Sequence, residues 1–137
     1  MAVSQLSAVL RDATDGMLLF WCPGCDGAHG IPVVGRIDPS QWVSKARWGW
    51  NGSIDKPTFT PSILVSGTEM TEAGEADYAE WMAAGHPARE GKAFDSRNTV
   101  CHSFVTDGRI QFLGDCTHVL AGQTVELPPW DRASDGL

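Results

Sequence analysis

Cys22-Pro23-Gly24-Cys25 constrains this chain more than any other stretch. Two thiols two residues apart, on a turn shaped by Pro and Gly, can converge with backbone N–H groups on one tetrahedral ion. A redox C-x-x-C motif is expected to open a helix in a βαβ unit. Here the following Asp26-Gly27-Ala28-His29-Gly30 is glycine-rich and opens none. The reading is a metal knuckle, and thiolate donors in a tetrahedron point to Zn2+. One knuckle is half a site, so the other half must come from His29, Cys101, His102, Cys116 or His118.

The 137 residues, 42% of them apolar, fit one domain spanning 1–137, with its core at about 5–128 and a polar tail at 129–137. A net charge of -7 repels phosphate backbones and argues against nucleic-acid binding. The amino terminus has no basic segment followed by an apolar run, and the apolar stretch from Met17 to Cys22 is too short to span a bilayer. The expectation is a protein of the reducing cytoplasm, that of a bacterial host, with no membrane partner. Four cysteines are there better suited to metal or free thiols than to disulfides.

The pattern is mainly β with one helix, an α+β small domain with antiparallel hairpins around the knuckle. Leu6–Leu10 and Met17–Trp21 flank an Asp15-Gly16 turn, and Gly30–Val34 reads as a third strand. Pro57 and Pro61 hold the next segment extended, and Ser62–Val65 follows as a strand. Thr71 can cap a helix with Glu72 and Glu75 in its first turn. Tyr78, Trp81 and Met82 give that helix an apolar stripe to lay on a sheet. Thr99–Val105 and Ile110–Leu113 flank Asp107-Gly108, the signature of a primed two-residue turn, and Gln123–Leu127 closes the β pattern.

Hairpin parity ranks the remaining ligands. With Asp107 and Gly108 at the turn, Ser103 faces Phe112 and Cys101 faces Gly114, so Cys101 shares a face with Cys116 if the strand continues. His102 points to the opposite face. The expected ligands are Cys22, Cys25, Cys101 and Cys116. His118 is a substitute or an orienting partner, His29 a C-x2-C-x3-H ligand, and His102 a ligand after a register shift or else a hydrogen-bonded core histidine.

Trp21-Cys22-Pro23-Gly24-Cys25 with His29, Trp48-x-Trp50-Asn51-Gly52, Pro57-Thr58-Phe59-x-Pro61-Ser62, Cys101-His102-Ser103-Phe104-Val105, Phe112-Leu113-Gly114-Asp115-Cys116-Thr117-His118 and Leu120-Ala121-Gly122-Gln123-Thr124 together resemble a family of small proteins of tailed bacteriophages and prophages. The resemblance covers residues 17 to 128 outside the helix region. It implies a phage origin and a zinc-binding domain, with no activity attached. Members often carry the label ammonia monooxygenase, but this chain offers neither a copper-oxygenase site nor membrane spans. A more distant set of similar domains is encoded beside bacterial ubiquitin-like conjugation genes.

Two functions follow as expectations. The first is a protein-interaction or assembly module with a structural zinc, its partner a protein met through Trp42, Trp48 and Trp50, with core packing the competing role of those rings. Self-association into a homo-oligomer and a place in the virion are compatible with it. The second is a zinc-dependent hydrolase with Asp115 and His118 beside the metal. No H-E-x-x-H motif is present, and the sequence favours the module over the enzyme, with no catalytic residue assigned.

Overall fold

Period-two alternation of apolar residues builds two antiparallel sheets, and their buried faces meet in one core. A computed structural model describes residues 3–36 and 46–130. The first sheet has the order β1 (Val3–Gln5), β2 (Leu10–Ala13), β3 (Leu18–Cys22), β4 (Gly27–Ile31). The second has the order β5 (Gly49–Trp50), β6 (Phe59–Met70), β7 (Ser96–Thr106), β8 (Arg109–Phe112), β9 (Thr124–Glu126). Every second residue of β3, Leu18, Phe20 and Cys22, is buried, and in β7 the buried set is Cys101, Ser103 and Val105. Phe20 stacks on Phe59 at 6.3 Å between centroids, joining the sheets at the centre of the core. Burying side chains of this size is worth roughly 1.5–3 kcal/mol each.

The expected hairpins form, with shifts in their limits. The first turn joins β2 to β3, while the segment from Leu6 to Val9, expected as strand, bends between β1 and β2. The third strand lies earlier than expected, at β4, and Val33 instead makes an isolated parallel bridge to Trp48. In the β7–β8 hairpin Thr106 pairs with Arg109, Val105 with Ile110 and Ser103 with Phe112, the register read from the Asp-Gly turn. Asp107 and Gly108 both have positive φ, 52° and 75°, as a type I′ turn demands. The ladder stops at Phe112, and the chain turns through residues 113–116 instead of continuing as strand.

Pairing of β6 with β7 is regular from Ile63↔Ser103 to Met70↔Ser96, but the register shifts between Phe59 and Ile63. Thr60-Pro61-Ser62 lies in that shift, where a strand bends and re-aims its side chains.

Thr71 caps the helix α1 (Glu72–Ala83), its hydroxyl accepting from the Gly74 amide. The helix does not lie on a sheet. Only Gly74 is buried, against Asp95, and Tyr78 and Trp81 pack on Phe94 in a local aromatic cluster with centroids 5.3 and 5.7 Å apart. Its stripe was too weakly apolar to compete for the core. At the other end Trp130 is buried, rings edge to face with Trp21, its indole donating to the Val9 carbonyl at 3.0 Å. Core packing therefore runs past Pro129 into the segment read as tail.

Candidate functional site

β7 carries two chemistries on its two faces. On the buried side, Cys101 meets the knuckle. Cys22 ends β3, Cys25 follows on the turn, and His29 sits on β4, facing Phe20 across the ladder. Donor atoms of Cys22, Cys25, His29 and Cys101 lie within 4.8 Å of one another. The Cys22 and Cys101 sulfurs are 3.8 Å apart. Zn–S bonds of about 2.3 Å in a tetrahedron place sulfurs about 3.8 Å apart, so this pair already has the spacing of two zinc ligands. The Cys25 amide donates to the Cys22 sulfur at 3.4 Å, as in a knuckle.

Electrostatics point the same way. The Cys22 thiol is lowered to about 4, chiefly by its hydrogen bond with Cys101, while burial first and the charge on Cys22 second raise Cys25 to about 11. Cys101 is pushed well above the usual thiol range, chiefly because it is hydrogen-bonded to the Cys22 thiolate. A divalent ion bound among them would favour the thiolate form of all three. The buried Nε2 of His29 has no hydrogen-bond partner among the described residues. An orphan buried nitrogen costs free energy that a metal bond would recover. The residues present fit a zinc ion.

Cys116 and His118 form a second group with Cys101, again within 4.8 Å. Neither belongs to the four-residue group. The Nδ1 of His118 accepts from the Leu120 amide at 3.2 Å, and its buried Nε2, like that of His29, has no hydrogen-bond partner among the described residues. Its ring stands edge-on to Phe112 at 4.5 Å and fills the space beside Gly24, where a Cβ would come within 2.3 Å of it. The glycine of the knuckle thus admits the histidine. On the solvent side, a cavity of about 370 Å³ by the helix is lined by Trp81 and Arg89 and holds none of these groups.

The outer face of the same strands holds a different set. Ser62 and Leu64 on β6 share that face with His102 and Phe104 on β7, Leu64 pairing directly with His102. The His102 Nε2 is 3.1 Å from the Ser62 Oγ, and its Nδ1 is 3.1 Å from the Asp115 Oδ2. A carboxylate accepts only, so Nδ1 carries the proton and Nε2 is left as acceptor for the serine hydroxyl. That is the tautomer a general base needs. The Ser62 carbonyl accepts from the Trp48 indole at 3.2 Å, fixing the serine's backbone from the other side. Leu64 is 60% and Phe104 41% exposed, so the three polar groups stand on an open, partly apolar face.

His102 stands outside the four-residue cluster, as parity requires, and its half-buried ring bonds Ser62 and Asp115. Asp115 lies beside His102 and not beside His118 as a metal-site base. Trp48 and Trp50 are half-buried and pack on the core, and Trp42 lies outside the described residues. Ser62 was missed as a catalytic candidate. It lies in the register shift between Phe59 and Ile63, which local sequence spacing does not single out.

A family model described as "Bacterial ubiquitination-like system serine protease (BubE)" matches residues 2–113. The matched span contains Ser62, His102 and the four clustered metal-type residues, and Asp115 lies two residues beyond it. No curated protein and no solved structure matches the chain. Among the described residues no helix is long and apolar enough to cross a membrane.

Proposed function

The chain belongs to the bacterial ubiquitination-like system serine protease (BubE) family, and from that premise we propose that it is a serine hydrolase cleaving acyl bonds of proteins in a ubiquitin-like conjugation system. The observation that carries this reading is the pair of 3.1 Å contacts linking Ser62, His102 and Asp115. Ser62 Oγ attacks the scissile carbonyl while His102 Nε2 takes its proton. Asp115 holds the imidazole in its tautomer and stabilises the imidazolium. As the tetrahedral adduct collapses, the carbon–nitrogen bond breaks and His102 returns the proton to the leaving amine. Water, deprotonated by the same histidine, then frees Ser62 from the acyl-enzyme.

The chain order Ser, His, Asp differs from those of the chymotrypsin, subtilisin and α/β-hydrolase triads, as expected of a constellation defined by geometry rather than by position. The partner is then a protein, and the open face with exposed Leu64 and Phe104 suits a macromolecular substrate better than an enclosed small molecule. The zinc is structural in this reading. Cys22, Cys25, His29 and Cys101 would hold it, and bound there it ties the two sheets together. A phage setting, which the sequence resemblance implies, would make the conjugates of a bacterial host its substrates.

A fluorophosphonate probe tests the proposal, because it phosphonylates only serines activated by a base. Mass spectrometry is expected to find one label per chain, on Ser62, and none in Ser62→Ala. A native protein that stays unlabelled, or is labelled at another serine, overturns the reading.

A further inference from the structure

Beyond Phe112 the β7–β8 ladder ends, leaving the outward-directed backbone groups of His102 in need of partners. The Leu113 amide supplies one, donating to the His102 carbonyl at 2.9 Å. No backbone carbonyl of β8 reaches the His102 amide. The Cys116 side chain does: the His102 N–H donates to its sulfur at 3.2 Å, and the sulfur in turn lies 3.2 Å from the His102 carbonyl oxygen. One residue further on, Thr117 repeats the device at Val100, its Oγ1 accepting from the Val100 amide at 3.0 Å. Two successive side chains stand in for the missing strand.

We infer that Cys116 is a positioning residue for the catalytic histidine, holding the His102 main chain and the Asp115 turn in one unit, and is not a zinc ligand. The inference rests on the Ser62–His102–Asp115 reading. Asp115 directly precedes Cys116, and the Cys116 amide closes the turn onto the Leu113 carbonyl at 3.2 Å. Pinning the Cys116 sulfur to His102 therefore fixes where the Asp115 carboxylate stands relative to the ring it must meet. The sulfur lies within hydrogen-bond reach of both main-chain groups of His102. Cys22, Cys25, His29 and Cys101 already supply the four donors of a tetrahedral site, and Cys116 stands outside that group, in a second one with Cys101 and His118.

The test compares the native protein with Cys116→Ala and Cys116→Ser in three measurements: bound zinc, hydrogen exchange of the His102 amide, and the rate at which a fluorophosphonate labels Ser62. Serine keeps a donor and acceptor at the position but is a poor zinc ligand. The expectation is that both variants keep the native zinc content. In Cys116→Ala the His102 amide exchanges faster and labelling slows, by on the order of 10²-fold if the ring moves by about 1 Å. Cys116→Ser restores most of both. Zinc loss from Cys116→Ser overturns the inference, as does a Cys116→Ala protein with native amide exchange and a native labelling rate. Should Cys116→Ala fail to fold, Cys116→Ser alone decides through zinc content and the His102 amide. If the native protein itself is never labelled, the hydrolase reading fails, while zinc and amide exchange still place Cys116.

Discussion

The inner and outer faces of β7 carry consecutive residues with opposite requirements. Cys101 is 3% exposed and closes a cluster that bridges both sheets, whereas the side chain of His102 is 27% exposed and serves an open surface. Strand alternation alone separates them. A structural metal gains from burial, because desolvation and a full set of protein ligands keep water from the ion. A protease base needs the reverse, a ring held firmly on one edge and open to substrate on the other. The arrangement teaches that alternate residues of one strand can serve a buried cluster on one face and an open polar set on the other.

The largest effect expected of any substitution falls on the inner face. Cys22→Ser or Cys101→Ser removes a thiolate ligand, and the free energy of structural zinc binding, ~10 kcal/mol or more in small peptides, rivals the stability of a whole domain. Each variant is expected to purify without metal, to lose its cooperative melt and to lose Ser62 labelling along with the fold. Chelation of the native protein should reproduce this. Elemental analysis and thermal melts decide it: a Cys101→Ser protein that holds zinc and melts like its parent shows that the buried face does not brace the domain.

The two faces also differed in how far the sequence disclosed them. Three of the four clustered donors, Cys22, Cys25 and His29, lie within one turn and its flanking strands, so local spacing exposes them. Cys101 followed from a hairpin whose Asp-Gly turn fixes its register. Cys116 was reached by extending parity past Phe112; the chain turns there instead, and Cys116 stands in a second group with Cys101 and His118. The triad needs three distant pieces at once. Ser62 meets His102 only because β6 pairs with β7 across a register shift, and Asp115 arrives only because the ladder ends early. Neither event has a local signature that ranks one serine above the others, and so His102 read as a core histidine and the enzyme as the lesser hypothesis.

On the outer face the expected losses are in rate and not in stability. Ser62→Ala and His102→Ala should each lower turnover of a conjugate by on the order of 10⁶-fold, the scale found when a serine-protease nucleophile or base is removed. Asp115→Asn should cost on the order of 10⁴-fold through the wrong histidine tautomer. All three are expected to keep zinc, the Ser62 and His102 variants melting within about 1–3 kcal/mol of the parent and the exposed Asp115→Asn closer still. Metal loss from His102→Ala would tie the two faces together and place the ring on the ion.

The smallest effect separates two roles for Trp48. The sequence offered it as a contact for a protein partner, whereas the structure shows its indole donating to the Ser62 carbonyl at 3.2 Å while the ring packs against the core. Trp48→Phe keeps most of that apolar packing and removes the donor. A neutral hydrogen bond is worth about 1 kcal/mol, and if all of it holds Ser62 in line with His102 the loss in kcat is about fivefold. A partner contact would act differently: truncating it weakens substrate binding and raises KM with kcat unchanged. Steady-state kinetics on a protein conjugate therefore discriminate. A fall in kcat and in the Ser62 labelling rate, with KM and zinc content unchanged, assigns Trp48 to the support of the nucleophile. A rise in KM alone returns it to the binding surface, on the exposed side with Leu64 and Phe104.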